Sequence, residues 1–229
     1  MHANCSPSPF GKGYFSMIAT VHPPTPERVK TACLRFDREQ ELAEETLREL
    51  FRLYPSNEDV RGVLLKVVAV NALHHTCIFA LDQVARHIHE QHTEIDAALA
   101  EGSLAVVDRI ARIKVHGKMY NFYSFATKYC SWQNPAGYPM YDAHVDHYLW
   151  TLQQQDHFAS FLHPDLWDYA KFHRIMTDFR RFHGLKKFSF REIDKFLSFE
   201  AAPPKASVVE VEPCGPGAFD YYPADELAN

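Results

Sequence analysis

The sharpest chemical clue in this chain is an aspartate that opens a helix directly after a proline-stiffened turn. Residues 123–145 read YSFATKYCSWQNPAGYPMYDAHV: a helical stretch, a break at Asn134-Pro135, a second proline at 139, then Asp142 followed by Ala143, His144 and Val145. Pro135 and Pro139 fix φ and restrict the residues before them, which sets the direction in which the second helix starts. A carboxylate at that start accepts hydrogen bonds from free first-turn N–H groups and suits the positive end of the helix dipole. Capping is therefore the first role that chemistry gives Asp142.

Other side chains in and near this stretch carry chemistry of their own. Tyr120, Tyr123, Trp132, Tyr138 and Tyr141 cluster around it, and aromatic faces either stack on an unpaired base or pack a core. Lys128 is the lysine nearest to Asp142 in the segment and reads as a surface or phosphate-contact residue. It stands five residues past Tyr123, a spacing that does not keep one helical face. His144 and His147 lie three apart beside Asp142 and Asp146, and His87, His89 and His92 form a second group. Histidines at helical spacing can bind zinc, yet neither group matches a two-histidine helix motif or a finger. No metal ligands and no cofactor are assigned, and a metal-dependent helical hydrolase stays as a further alternative.

The elements that must position these residues are helices. Thr25-Pro26-Glu27 reads as a cap, a first-turn proline and an early acid, starting a helix that runs to about Leu53 before Tyr54-Pro55. Ser56–Asp59 has capping-box spacing, and Val60, Val63, Leu64, Val67 and Val68 then recur at helical spacing in a stretch apolar enough to be central. Helices are expected over residues 76–91, from Thr93 to a stop at Gly102, and over 104–113, followed by a loop, KVHGKMYN. A helix over 122–132, one from Asp142, a long amphipathic one from Pro164 to Gly184, and a last one opened by the capping box Ser189-Phe190-Arg191-Glu192 complete the count. The fold class is all-α: one globular bundle of about eight to ten helices over residues 25–200, with no convincing paired strands. An irregular arm over 1–24 precedes it, and a proline-rich acidic tail over 201–229 follows.

Residues 60–152 resemble the helix-hairpin-helix DNA glycosylases, an all-α superfamily. The likeness rests on a helix, a turn with Asn-Pro, a proline shortly before Asp, and then Asp-x-His with an apolar residue. It implies that Asp142 is the catalytic aspartate and that His144 lies beside the nucleic-acid backbone. The apolar helix ending in Asn71-Ala-Leu-His-His-Thr76 is similar to the family's early core helix, which makes Asn71 a residue of the base pocket, with Tyr123 and Tyr141 on its other side. The phrase YSFATKYCSW also resembles a group of uncharacterised bacterial proteins. Three departures stand out. The family's Gly-x-Gly hairpin, whose amides grip a phosphate, is represented by Gly117-Lys118-Met119 with a single glycine, leaving Lys118 to meet a phosphate as a point charge. The position of the bifunctional enzymes' lysine falls at Tyr123, which cannot form an imine. No cysteine quartet follows for an iron–sulfur cluster.

The resemblance implies removal of a nucleobase from DNA, single-stranded or damaged, by hydrolysis of the N-glycosidic bond without lyase activity. The alternative is the same helical scaffold used as a non-catalytic module that binds nucleic acid or protein. Composition bounds both. The formal charge is −5, but it is segregated: residues 37–59 hold eight acids against three arginines, and residues 171–195 hold eight Lys or Arg against three acids. Such segregation permits a basic face on an acidic protein. The five scattered cysteines contain no CxxC pair, which suits a reducing compartment, and the first residues lack the marks of a signal peptide. No apolar run of about 18 residues is present to span a membrane. The expected location is cytoplasmic.

Overall fold

The computed structural model describes residues 21–200. The expected tail over 201–229 and all but the last four residues of the expected arm lie outside them. The protein is an all-α bundle, with ten α-helices, one 3-10 turn and one small hairpin among the described residues. In chain order these are α1 (Pro26–Glu39), α2 (Glu41–Leu53), α3 (Val60–Leu73), α4 (Leu81–Glu90), α5 (His92–Glu101), α6 (Ala105–Ala111), β1 (Arg112–Val115), β2 (Lys118–Asn121), α7 (Tyr123–Gln133), α8 (Ala143–Asp156), the 3-10 turn (His163–Trp167), α9 (Tyr169–Phe182) and α10 (Phe190–Glu200). No described helix is long and apolar enough to cross a membrane.

Local signals place most of the helix ends. Thr25 caps α1 by accepting the Arg28 N–H at 3.3 Å, Asp59 caps α3 by accepting that of Arg61 at 3.0 Å, and Asp168 caps α9 through Lys171 at 3.0 Å. The Ser189–Glu192 box is closed in both directions, at 2.7 and 3.2 Å. Gly102 and Gly184 end their helices with φ of 72° and 71°, a conformation that costs a residue without Cβ little.

The centre is α7, not α3. Nine of its residues, Tyr123 and every position from Phe125 to Trp132, are buried, as befits a helix wrapped on all sides by others. By contrast α3 leaves Leu64, Leu65 and Val68 partly exposed while packing against α4, α2 and α7. One buried cation sits on its inner face. Lys66 is fully enclosed and donates to the carbonyls of Tyr54 and Ser56 and to Asn57 Oδ1 at 3.1, 3.0 and 2.8 Å.

Four expectations are corrected. The helix expected from Thr25 to Leu53 breaks at Gln40 into α1 and α2, because α1 packs on α10 while α2 turns to α3 and α7. Residues 74–80 form an irregular loop instead of the start of α4. The segment KVHGKMYN is not a loop but an antiparallel hairpin with Val115 paired to Lys118. Its two turn residues, His116 and Gly117, have φ of 48° and 84°, the positive pair of a type I′ hairpin turn. Finally, the helix expected from Pro164 starts as the 3-10 turn and begins anew at Asp168.

Candidate active site

The connection from α7 to α8 is fastened before Asp142 is reached. Asn134 donates to the Leu99 carbonyl at 3.0 Å, and the buried Tyr138 donates to the Ser103 carbonyl at 3.1 Å. Tyr169 donates to the carbonyl of Pro139 at 3.0 Å. The Tyr141 N–H donates to Thr127 Oγ1 at 3.0 Å. With these anchors and two prolines, the extended Asp142 backbone (φ −156°) has little freedom. Its Oδ1 accepts the N–H groups of His144 and Val145 at 3.0 and 2.9 Å, and its Oδ2 lies 3.4 Å from Lys128 Nζ.

Lys128 is an interior residue, not the surface contact that its sequence position suggests. Its side chain is only 5% exposed, against 39% for that of Asp142. Spacing from Tyr123 does not show this, because only the fold sets the start of α8 directly beside Lys128. Nζ also donates to Ser124 Oγ at 2.9 Å and to the Tyr141 carbonyl at 3.0 Å, so all three N–H donors are committed. Burial pushes the ammonium below its ordinary pKa, while Asp142 restores part of the loss. For Asp142, burial pushes the carboxyl up, but Lys128, the Val145 N–H and His144 together outweigh it and hold the group below its usual value. Asp142 is therefore an ionised carboxylate, tied down on one oxygen and partly open on the other.

It opens onto a cleft of about 960 Å³ bounded by the 74–77 loop, α7, the start of α8, α2 and α10. His74 closes one side. Its Nε2 accepts the Trp132 indole N–H at 2.8 Å, and burial, followed by Lys128, lowers its pKa to about 3, so the imidazole is neutral. Next to it, His75 and Cys77 adopt φ of 49° and 53°, non-glycine left-handed conformations of the kind that cluster at ligand sites. On the α10 side stand Arg191 and Asp194. Arg191 is paired with Glu44 of α2 and covered by the Trp132 ring at 4.7 Å. Asp146 sits one turn into α8, where it accepts from Tyr141 Oη at 2.8 Å and from Trp167 Nε1 at 3.2 Å, with His163 Nε2 at 2.7 Å.

Residues 28–137 match the family model HI_0787_N, described as an N-terminal domain. The match spans under half of this chain. An uncharacterized protein of Haemophilus influenzae is 36% identical over 138 residues, which cover 60% of this chain and 65% of that protein. The chain thus spans a little less than two thirds of that relative's length. No solved structure matches. Within the site, the family match includes His74, Ser124 and Lys128 and stops before Asp142.

Of the residues singled out in the sequence, the structure brings Asp142, Tyr123, Tyr141, Lys128 and His144 to the cleft wall. Tyr123 is 8% exposed and donates to the Leu166 carbonyl at 3.2 Å, so little of it is presented to the cleft. His144 is exposed at the mouth. Asn71 is not in the wall. Its side chain shapes the strained loop, accepting from Thr76 Oγ1 and Ile78 N at 2.8 and 3.0 Å. Lys118 lies exposed on the hairpin, also outside the wall. The stretch that the resemblance aligns with a phosphate-gripping turn is therefore a β-hairpin. Half of the eight basic residues of 171–195 are neutralised, with Lys171, Arg181, Arg191 and Lys195 each paired to an acid.

Neither histidine group gathers ligands: no cluster of three or more His, Cys, Asp or Glu among the described residues is arranged to hold a metal ion. His87 and His89 contact the carbonyls of Arg109 and Asn57 instead. The residues that sequence reasoning missed are His74, Glu44, Arg191 and Asp194, while Asp146 stood out only as a neighbour of His144 and His147. Asp194 left a trace, an acid between Ile193 and Phe196 on the buried stripe of α10. Nothing local marked the others.

Proposed function

We propose that the cleft hydrolyses the N-glycosidic bond between a nucleobase and its sugar, with an unstacked nucleotide of DNA as the substrate. One observation carries this reading: Asp142 is an ionised carboxylate, held by two backbone amides and a buried lysine, with 39% of its side chain left open to a cleft of about 960 Å³. As the glycosidic bond stretches, positive charge grows on the sugar, and a fixed carboxylate stabilises it without having to reorganise. The same group can orient the water that adds to the sugar. Lys128 keeps Asp142 ionised, and as an ammonium with all three N–H groups donated it has no lone pair for covalent chemistry, which agrees with simple hydrolysis. An extrahelical base would enter between His74 and Tyr141, away from the stack.

A second reading, a binding module without catalysis, is favoured by the hairpin that stands where a phosphate-gripping turn was expected and by the paired cations of α9 and α10. Base release from single- and double-stranded oligonucleotides carrying damaged or mismatched bases separates the two. Asp142→Asn keeps a good helix cap, since Asn is as effective there as Asp. It removes the counter-charge of the buried Lys128, so folding is checked by thermal melting, and the folded variant should lose base release by about a hundred- to a thousand-fold. Unchanged release from that variant would take Asp142 out of the reaction, and no release from the wild-type protein on any substrate would end the hydrolase reading and leave the binding module.

A further inference from the structure

A second carboxyl in the same cleft has a different state. Asp194 is 7% exposed. Its Oδ1 accepts the Met140 N–H at 3.2 Å, whereas its Oδ2 is buried and meets no partner, although the residue lines the cleft together with Asp142. A buried carboxylate with an oxygen left bare is costly, and a neutral carboxyl is less so, its O–H waiting for an acceptor that a ligand can supply. The charges around it come from several elements. Arg191 is on its own helix but is taken by Glu44 of α2. Lys128 faces it from α7 and Asp142 from the start of α8. Asp37 of α1 pairs with Lys195.

We propose that Asp194 is the acid of this site: its unpartnered carboxyl oxygen donates a hydrogen bond to a ring nitrogen of the bound nucleobase and gives up its proton as that base leaves. The inference rests on the N-glycosidic reading above for the proton-transfer step, while the hydrogen bond to the base stands without it. The electrostatics agree, since burial pushes the Asp194 carboxyl up to about 7, with Asp142 adding to the rise and Arg191, the Met140 N–H and Lys128 opposing it. One cleft thus holds a carboxyl that keeps its proton near neutral pH and a carboxylate that does not, the division of labour that acid–base hydrolysis needs. In the reaction, the bond between sugar carbon and base nitrogen breaks and its electron pair goes to the base, which takes the Asp194 proton. Water adds to the sugar carbon and passes a proton to Asp142. Solvent exchange returns the proton from Asp142 to Asp194, so sugar hydroxyl and protonated base are the only products.

The test is calorimetric binding of free adenine, guanine, cytosine and uracil to the full chain at pH 6 and pH 8.5, alongside base release. At least one base should bind the wild-type protein at pH 6 and bind about tenfold more weakly at pH 8.5. Asp194→Asn keeps an N–H donor but no transferable proton, so its binding should become independent of pH while base release is lost. Asp194→Leu, checked for folding by thermal melting, should bind about tenfold more weakly already at pH 6. The proposal is overturned if no base binds, if the Asn variant keeps the wild-type pH dependence, or if a folded Leu variant binds like wild type. Base binding with this pattern but no release from any protein would sink hydrolysis alone and leave Asp194 as a recognition group.

Discussion

At the scale of single residues, three side chains, Lys128, His74 and Asp194, stand around Asp142 in the cleft wall. A cap announces itself because the acid, the prolines and the following apolar residue are neighbours in sequence. Lys128, His74 and Asp194 become partners only through packing, and a lysine in mid-helix looks like any solvated lysine until its helix is enclosed. The buried groups also set opposite pH dependences. His74 titrates near 3 in the fold, well below its ordinary value of about 6.5, so its contribution to stability is present above that value and lost as pH falls towards 3. Asp194 titrates near 7, so its contribution is complete below its ordinary range and lost as pH rises through 7. His74→Gln, which can still accept the Trp132 N–H, should therefore lose roughly 1–3 kcal/mol less stability than wild type between pH 6.5 and 4. Urea unfolding at the two pH values measures this, and equal losses in both proteins would refute it.

At the scale of elements, periodicity and caps placed most helices, and the errors share one cause. The break at Gln40 has no glycine or proline to mark it, and it exists because α1 and α2 bury their faces against different partners. The hairpin was hidden because β1 offers only four residues of alternating burial, Arg112 and Lys114 out, Ile113 and Val115 in. The α3 segment looked central because its apolar residues outnumber what one face needs, and the surplus is exposed. Packing also reverses the usual rule for a glycine inside a helix. Gly62 to Ala would gain helix propensity, about 1 kcal/mol, but a Cβ there would stand 2.3 Å from Tyr54 Cδ1 and 2.7 Å from its Cγ. The near part of that ring cannot swing away as a flexible tip would. Gly62→Ala should therefore be destabilising, by about 1–3 kcal/mol, and a melting temperature at or above wild type would contradict this.

At the scale of the whole molecule, an all-α bundle followed from the sequence, whereas the polar ties across it did not. Asn57 donates to both oxygens of Asp96, at 2.9 and 2.5 Å, and its own side-chain oxygen accepts from Lys66 and from Tyr129. The α2–α3 turn is thereby joined to α5 and α7 through residues up to 72 positions apart. The two enclosed amines of this structure also make it its own reporter. An acylating reagent at mildly alkaline pH should label hairpin Lys118 at once. Lys128 should follow slowly, because its cover is the short 141–142 stretch and lifting one helix end uncovers it. Lys66 should be last, with a labelling rate that climbs with urea as steeply as unfolding itself, since the α2–α3 turn that supplies its oxygens is itself tied to α5 and α7. Equal rates for Lys118 and Lys128 would mean that the amine held beside Asp142 is open to the solution after all.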